Sequence, residues 1–373
     1  MKHNWQYKKL NEVCEKGSSN VVINKLSENN GDYPLFGASG LVKNVDFYHQ
    51  DKEYIGIVKD GAGVGRVNTY PAYSSLVGTM QYIFPKEECL LNYIKYFLVK
   101  LDLSHCLSGA TIPHIYFKDY GKELIPIPSL EEQETIVSEL DKINELIRLK
   151  KEQLSDYDKL AQSLFYEMFG DPVENEKGWE VKKLSAITTK IGSGATPKGG
   201  NESYKAEGIS LIRSLNVHNN EFLYKDLAHI DNMQADALSN VEIFSGDVLL
   251  NITGASVARC CIVPEDIIPA RVNQHVCIIR TMTDKALPIY LNRLLTNENY
   301  QISLLALARS KAATREALPK SLVDNLQIPL PPLPLQQTFA QRIELIEKQK
   351  AEIKSTIQDL ETLLASRMQY WFD

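Results

Sequence analysis

The feature that most constrains the fold of this 373-residue chain is an internal repeat. Residues 125–133 read Ile-Pro-Ile-Pro-Ser-Leu-Glu-Glu-Gln, and residues 328–336 read Ile-Pro-Leu-Pro-Pro-Leu-Pro-Leu-Gln. A helix-forming stretch of about forty residues follows each of these proline-rich segments. The two halves also begin alike, since residues 5–10 (Trp-Gln-Tyr-Lys-Lys-Leu) resemble residues 179–184 (Trp-Glu-Val-Lys-Lys-Leu). Because such a repeat marks a duplicated structural unit, we expect the order globule, helix, globule, helix.

Both stretches after the proline-rich segments are predicted to be long coiled-coil helices. The first begins at a capping box, with Ser129 as N-cap and Glu132 reaching back to it, and ends before Gly170. Apolar residues recur at spacings of three and four along each stretch, and Lys150, Lys350 and Arg367 interrupt them. This pattern favours a coiled-coil seam over a surface helix. The predicted seam consists of Ile136, Leu140, Ile143, Ile147, Leu154, Tyr157, Leu164, Phe339, Ile343, Ile346, Ile353, Ile357, Leu360 and Leu364.

We expect the two helices to pair antiparallel within one chain, although each could instead pack on its own globule or against another chain. Antiparallel pairing relates the halves by a pseudo-twofold axis. The expected fold class is therefore α+β, with two mostly-β domains alternating with two long helices that form an antiparallel coiled coil. The expected boundaries are 1–128 for the first β domain, 129–170 for the first helix, 171–178 for a linker, 179–332 for the second β domain and 333–373 for the second helix.

Each globule is predicted to contain a curved, mostly antiparallel sheet and a few helices. Short runs rich in β-branched and aromatic residues alternate with Gly, Asn and Asp turns, which is typical of such sheets. The strand-like runs are residues 54–58, 65–67, 80–84, 209–212, 247–252 and 275–279, and the helix-like segments are residues 91–101 and 288–297.

Composition limits the class of protein and its compartment. The chain is 44% hydrophobic and 24% charged, as in an ordinary soluble protein with room for two cores. Its six cysteines form no Cys-x-x-Cys pair, which argues against a disulfide framework and a structural zinc site, and Cys260 and Cys261 are expected to be buried thiols. The chain has no long apolar run and no signal-peptide core at residues 1–5, so we expect a cytoplasmic protein without a membrane partner.

The net charge of −6 comes from the helices. Residues 131–170 carry ten acids and five bases, and residues 334–373 carry six acids and five bases. The remaining residues are neutral as a whole. Neutral globules can still present a basic face to nucleic acid, because phosphate binding depends on the local charge distribution.

Catalytic motifs are absent from the sequence. The glycine-rich residues 61–66 resemble a dinucleotide loop, but Arg66 stands where the third glycine is needed, and residues 192–197 fail at Pro197. The sequence contains no P-loop, no His-Glu-x-x-His and no Gly-x-Ser-x-Gly. We therefore expect a chain that is not itself an enzyme and has no catalytic residue, metal site or cofactor.

The remaining polar residues in or beside glycine-rich turns are suited to reading DNA. Arg and Lys pair with guanine edges and phosphates, while Asn and Gln pair with adenine. Any one of them is more simply a solvated loop residue, so their value is collective. The candidates are Tyr48, His49, Lys59, Arg66, Thr111, His114, Ser193, Thr196, Lys198, Arg213, Asn216, His218, Arg259, Asn273, Gln274, His275, Lys311 and Arg315, with Arg66, Arg213 and Arg259 as the expected base readers.

The arrangement and several motifs together resemble the specificity subunit of type I restriction–modification systems (the HsdS family). Residues 109–115 (Gly-Ala-Thr-Ile-Pro-His-Ile) lead into the first proline-rich segment, and residues 192–197, 246–250 and 272–275 add further similarity. The second half departs from this pattern, because residues 310–318 replace the Gly-Ala-Thr-Ile-Pro-His motif. We therefore expect His114 to have no equivalent role in the second half.

The resemblance implies two target-recognition domains, each reading one half of a split sequence in double-stranded DNA, with the helices setting the gap. It also implies two methylation subunits (HsdM) and two restriction/translocase subunits (HsdR), which would bind S-adenosylmethionine, ATP and Mg²⁺. Two other hypotheses are a coiled-coil scaffold that joins two protein-binding β domains without binding DNA, and a stand-alone methyltransferase–nuclease. The absence of a strong basic run supports the scaffold, and the missing motifs argue against the enzyme.

Overall fold

The computed structural model describes residues 5–61, 63–109, 113–197, 199–310 and 316–373. The chain forms two compact units. The first consists of Met1–Gln153 and Ile353–Asp373, and the second of Leu154–Glu352. Each unit therefore contains one β domain and a part of both long helices.

The first unit is built on a four-stranded antiparallel sheet of order β2-β8-β5-β6. A three-stranded sheet of order β4-β3-β7 and the pair β1–β9 complete it. The strands are β1 (Gln6–Lys9), β2 (Cys14–Ser18), β3 (Tyr33–Gly37), β4 (Gly40–Val45), β5 (Tyr54–Val58), β6 (Val67–Tyr70), β7 (Ser75–Leu76), β8 (Met80–Pro85) and β9 (Leu124–Ile127), and the helices are α1 (Leu10–Val13), α2 (Leu91–Lys100), α3 (Phe117–Tyr120) and the start of α4 (Leu130–Phe169).

The second unit repeats this plan with a four-stranded antiparallel sheet of order β11-β19-β16-β17 and a three-stranded sheet of order β15-β12-β18. The pairs β13–β14 and β10–β20 complete it. The strands are β10 (Glu180–Lys183), β11 (Thr188–Ser193), β12 (Ile209–Ile212), β13 (Val217–His218), β14 (Glu221–Phe222), β15 (Ala228–Ile230), β16 (Val248–Asn251), β17 (Cys260–Ile262), β18 (Ala270–Val272), β19 (Val276–Thr281) and β20 (Gln327–Leu330). The helices are the end of α4, α5 (Asn232–Ala237), α6 (Pro288–Leu295), α7 (Glu298–Ser310), α8 (Lys320–Asp324) and the start of α9 (Leu333–Phe372), whose end belongs to the first unit.

The central strands of the four-stranded sheets are buried on both faces. In β5 every residue is buried, with Ile55 and Ile57 in the core that contains α2 and Tyr54 and Val58 in the core beside the three-stranded sheet. A strand covered on both faces reads as a continuous apolar run, which is why residues 54–58 lack the alternation of a half-exposed strand. The same holds for β16 in the second unit.

The adjacent cysteines of β17 show how this sheet separates two cores. Cys260 packs in the core that contains α6, whereas Cys261 packs in the core beside the three-stranded sheet. They lie in different cores because successive side chains of a strand point to opposite faces of the sheet. Burial raises the pKa of the Cys261 thiol to about 12. The prediction of buried thiols at these two positions is confirmed.

A buried glutamine joins the first proline-rich segment to the β domain. The Gln133 amide nitrogen donates to the carbonyls of Glu88 and Pro128, at 2.9 and 3.1 Å, and its oxygen accepts from the amide of Leu90 at 2.9 Å. The side chain is fully buried. It satisfies three backbone groups at the point where α2 and α4 both begin.

Gln336 makes the same three hydrogen bonds in the second unit. Its nitrogen donates to the carbonyls of Lys285 and Pro331, at 3.1 and 2.9 Å, and its oxygen accepts from the amide of Leu287 at 2.9 Å. This side chain is also fully buried. The repeat in the sequence is therefore a repeat of individual hydrogen bonds.

The long helices run antiparallel, and each unit shows this separately. In the first unit Glu139, near the start of α4, pairs with Arg367 near the end of α9. In the second unit Phe169, at the end of α4, packs on Phe339 near the start of α9 with ring centroids 5.0 Å apart. The predicted α+β fold with an antiparallel coiled coil is confirmed.

The predicted seam residues are all buried or half-buried. Lys350, which interrupts the seam in sequence, is nevertheless buried and 8% exposed. Its ammonium lies 2.7 Å from Asp158 and 3.1 Å from Glu347. Ion pairing therefore lets a lysine occupy a position that periodicity assigns to an apolar residue.

Among the residues that the structure describes, no helix is long and apolar enough to cross a membrane.

Candidate nucleic-acid interface

One edge of the four-stranded sheet in the second unit brings together several of the predicted DNA-binding residues. The strands alternate in direction, so the ends of β11 and β16 and the starts of β19 and β17 meet at the same edge. The register pairs Ser193 with Cys277 and Asn251 with Val276. Segments far apart in the sequence, residues 193–197, 252–259 and 273–275, are thereby brought together.

The corresponding edge of the first unit is formed in the same way. The ends of β2 and β5 meet the starts of β8 and β6 there, with Ser18 opposite Gln81 and Val58 opposite Met80. This edge carries residues 59–61 and 63–66, which include the candidates Lys59 and Arg66. Lys59 is half-buried, and its ammonium lies 3.8 Å from the Asp60 carboxylate.

The hairpin at the edge of the first unit has a specific hydrogen-bonding pattern. The amide of Gly65 donates to the carbonyl of Val58 at 2.8 Å, and the amide of Val58 donates to the carbonyl of Arg66 at 3.0 Å. Gly65 has a φ of 87°, a left-handed conformation that glycine adopts without steric cost. Arg66 follows this turn with an exposed side chain, whose guanidinium donates to the carbonyl of Ala38 at 3.4 Å.

The hairpin of the second unit repeats this pattern residue for residue. The amide of Ala258 donates to the carbonyl of Asn251 and the amide of Asn251 to the carbonyl of Arg259, both at 2.8 Å. Ala258 has a φ of 71°, although it is not glycine. Arg259 therefore occupies the position of Arg66, and its guanidinium lies 3.4 Å from Nε2 of His218. The equivalence of these two arginines has no local sequence signal, because glycine, the usual mark of the turn, is missing in the second copy.

In each unit a further segment pairs with the loop at this edge, and the paired residues differ between the two halves. In the first unit Asp60 pairs with His114 through an isolated antiparallel bridge, and in the second unit Thr253 pairs with Ala317 in the same way. The imidazole of His114 thus has a methyl group as its counterpart. This agrees with the expectation that His114 has no equivalent role in the second half.

A chain of side-chain contacts crosses the edge of the second unit. The Thr196 hydroxyl donates to the side-chain oxygen of Gln274, whose nitrogen lies 3.1 Å from Nε2 of His275. Nδ1 of His275 lies 2.6 Å from the hydroxyl of Thr253. Gly194 permits the close approach of these loops, since a Cβ there would lie 1.7 Å from the carbonyl oxygen of Val272. Sequence reasoning missed Thr253, which carries no motif of its own.

Asn216, one of the predicted DNA-binding candidates, is buried and its amide is occupied by backbone groups. Its side-chain oxygen accepts from the amide of Arg213 at 3.0 Å, and its nitrogen donates to the carbonyls of Leu223 and Lys225 at 2.9 and 3.2 Å. The residue is fully buried. Since these bonds occupy its amide, Asn216 holds the turn after β12 and is not available to a base. Asn273 is also buried and accepts from the amide of His275 at 3.0 Å.

Arg213 is half-buried rather than a free surface cation. Its guanidinium donates to the carbonyl of Asp226 at 2.5 Å and lies 5.4 Å from the centre of the Tyr204 ring. These contacts direct it toward the loop before β15. Ser193, by contrast, is exposed at the end of β11.

Tyr48 and His49 lie on a different part of the first unit, in the loop between β4 and β5. The Tyr48 ring packs edge-on against Tyr33 and Tyr73, with centroids 4.8 and 5.2 Å away. His49 packs on Phe47. The predicted residues Thr111, Lys198, Lys311 and Arg315 lie outside the described residues.

One group of side chains in the described residues could hold a metal ion: His105, Cys106 and Glu123, whose ligand atoms lie within 4.8 Å of one another. His105 contacts the Glu123 carboxylate at 2.9 Å and the carbonyl of Asp102 at 2.6 Å. The bond to Glu123 raises the pKa of His105. The contacts of both ring nitrogens with these oxygens explain the arrangement without an ion.

Two β domains with matching edges, alternating with two antiparallel helices, define a class of duplicated two-domain proteins, and comparison identifies the family. The model of the family described as type I restriction modification DNA specificity domain matches residues 2–156 and 176–362. Because these two matches cover most of the chain, the protein belongs to this family.

Several particular relatives are similar to this chain. The MjaIX specificity subunit of Methanocaldococcus jannaschii is 25% identical over 230 residues, which cover 51% of this chain and 53% of that protein, about half its length. The MjaVIII specificity subunit of the same organism is 24% identical over 314 residues, which cover 78% of this chain and 73% of that protein.

Solved structures share the fold across the whole chain. The S subunit of a type I restriction–modification system from M. genitalium superposes with a TM-score of 0.61 at 15% identity, covering 99% of this chain and 96% of that one. A chain from a study of assembly and conformational transition of a type I R-M system gives a TM-score of 0.56 at 17% identity, covering 99% and 97%. At these identities the likeness concerns the fold alone.

Proposed function

We propose that this chain is the DNA sequence-specificity subunit of a type I restriction–modification complex, in which each β domain reads one half of a bipartite target. The observation that carries the proposal is the duplicated hairpin, which presents Arg66 and Arg259 at the same position of the same sheet edge. An arginine can bind a guanine edge or a phosphate bidentately. A DNA duplex presents guanine edges and phosphates repeatedly along its length. Two β domains with equivalent arginines can therefore each contact one part of it.

The two half-sites are expected to differ. Beside the equivalent arginines, the first edge carries Asp60 and His114 where the second carries Thr253 and Ala317. These side chains have different hydrogen-bonding groups and charge, so they favour different bases. The proposed target is therefore asymmetric, with two unlike halves and a gap of unspecified sequence.

The long helices are proposed to set this gap and to bind the other subunits. Their acidic outer faces would repel DNA phosphates. In the first unit a groove of about 750 Å³ along α4 combines apolar and charged side chains, which suits a protein partner. It is lined by Leu90, Glu134, Val137, Ser138, Asp141, Lys142, Glu145 and Leu146.

The partners in this proposal are two methylation subunits and two restriction/translocase subunits, all acting in the cytoplasm. Methylation and cleavage, with S-adenosylmethionine, ATP and Mg²⁺, would belong to them. This chain would supply no catalytic residue. Its DNA affinity should come mainly from Lys and Arg contacts to phosphates and fall steeply with salt.

Methylome sequencing tests the proposal. A host that expresses this chain with its cognate methylation subunit should gain adenine methylation at a motif with two unlike halves. We expect Arg66→Ala to relax one position in one half and Arg259→Ala one position in the other, each by about 1–3 kcal/mol of discrimination.

Two results would contradict the proposal. If the complex assembles and no new motif appears, the scaffold without DNA binding is the better explanation. If either single arginine substitution changes both halves of the motif, the two edges do not read DNA separately.

A further inference from the structure

The side chain of Gln274 is exposed at the sheet edge of the second unit and yet held in one orientation. Thr196 donates to its oxygen, and its nitrogen lies 3.1 Å from Nε2 of His275. His275 is fixed in turn by Thr253, 2.6 Å from its other ring nitrogen. Ordering a free glutamine side chain costs conformational entropy, and these contacts meet that cost before any ligand binds.

Counting the donors and acceptors of the Gln274 amide shows which of them are left for a ligand. A glutamine amide has two lone pairs on oxygen and two hydrogens on nitrogen. Among the residues that the structure describes, Thr196 and His275 occupy one lone pair and one hydrogen, which leaves one acceptor and one donor. Exchanging the amide oxygen and nitrogen leaves the same remainder, with the Thr196 hydroxyl and the imidazole exchanging roles as donor and acceptor.

One acceptor beside one donor complements one base edge in the major groove. Adenine offers an N6 amino donor and an N7 acceptor, whereas guanine offers two acceptors. Gln274 is exposed, and its amide is held in one orientation. We propose that this amide binds the edge of an adenine in the second half of the target, with His275 as a positioning residue. This inference rests on the proposed function.

The first unit has no such side chain at the equivalent place. The carbonyl of Thr79 accepts from the amide of Lys59 at 3.0 Å, as the carbonyl of His275 accepts from the amide of Ile252 at 3.0 Å. The residue before Thr79 is Gly78, so glycine stands where the second unit has Gln274. The adenine contact therefore belongs to one half-site only.

Methylome mapping of Gln274 variants tests this inference in the full chain with its cognate methylation subunit. We expect Gln274→Ala to relax the preference for A·T at one position of the second half-site by roughly tenfold and to leave the first half unchanged. Gln274→Glu replaces the donor by an acceptor and should shift that position toward cytosine, whose N4 amino group donates. Gln337→Ala, at an exposed glutamine of α9, is the matched control and should leave the motif unchanged.

The positioning role of His275 has a separate readout. Thr253→Val removes the hydroxyl that holds His275 and leaves the glutamine at position 274 unmutated. We expect it to weaken discrimination at the same position of the motif as Gln274→Ala, by a smaller factor, with the same unfolding midpoint as the wild type.

A wild-type motif that Gln274→Ala leaves unchanged at every position would overturn this inference while the proposed function stands. Relaxation in the first half-site would overturn it as well. Absence of any motif in the wild type would instead remove the proposed function and this inference together.

Discussion

At the scale of single residues, the duplication is most exact where side chains satisfy buried backbone groups. Gln133 and Gln336 each serve one amide and two carbonyls in the same way. Only a side chain with both a donor and an acceptor at this length can do so. Leaving these buried groups unpaired costs more than the hydrogen bonds contribute on average, which favours glutamine at both positions.

We expect Gln336→Ala to lower the free energy of unfolding by roughly 2–4 kcal/mol, because one amide and two carbonyls lose their buried partner. Gln133→Ala should cost a similar amount in the first unit. Urea denaturation measures both, with the exposed Gln337→Ala as control at under about 0.5 kcal/mol. A cost below about 0.5 kcal/mol for Gln336→Ala would show that water replaces the glutamine there.

At the scale of elements, ion pairs join α4 and α9 at positions where a basic residue interrupts the apolar seam. Arg367 interrupts the seam of α9 and forms a two-bond pair with Glu139, which also accepts from the indole of Trp371 at 2.9 Å. Lys350 is held between Asp158 and Glu347. Periodicity identified these basic residues as interruptions, but it could not show that each has an acidic partner on the facing helix.

The pair formed by Glu139 and Arg367 predicts a pH dependence. The hydrogen bond from Arg367 lowers the pKa of Glu139, so its stabilisation is present above the ordinary glutamate pKa and is lost as the pH falls through the lowered one. We expect Glu139→Gln to cost about 1–2 kcal/mol at pH 7. The difference from the wild type should shrink between about pH 5 and pH 3.

Unfolding by urea across this pH range measures the effect. Glu361→Gln is the matched control, because Glu361 pairs with Lys151 on the surface with half its side chain exposed, and such pairs contribute under about 1 kcal/mol. A wild-type advantage over Glu139→Gln that is unchanged at pH 3 would exclude ion pairing as its source.

At the scale of the whole molecule, the proposed function assigns reading to the β domains and spacing to the helices, since the proposed base contacts lie on the former and the proposed partner contacts on the latter. Replacing residues 179–325 by those of another family member should therefore change one half of the methylated motif and keep the gap. Methylome sequencing of the chimera measures both. A change in both halves would contradict the modular arrangement.

The sequence by itself determined the order of elements, both long helices, the β character of the globules and the family resemblance. These depend on local signals: helical periodicity, capping residues, proline-rich segments and a repeat. Strand-like residues 54–58 and 209–212 coincide with β5 and β12 for the same reason. Where the signal was weaker, residues 65–67 contributed only Val67 to β6.

Only the tertiary structure decided which loop residues form a site. The equivalence of Arg66 and Arg259, the role of Thr253 and the burial of Asn216 depend on strand pairings between distant segments, such as Asn251 with Val276. A polar residue in a loop has the same local sequence signal whether it faces solvent or is occupied by backbone groups. Periodicity reports which face of an element is apolar, whereas the partners of a polar side chain are set by contacts that form only when the chain is folded.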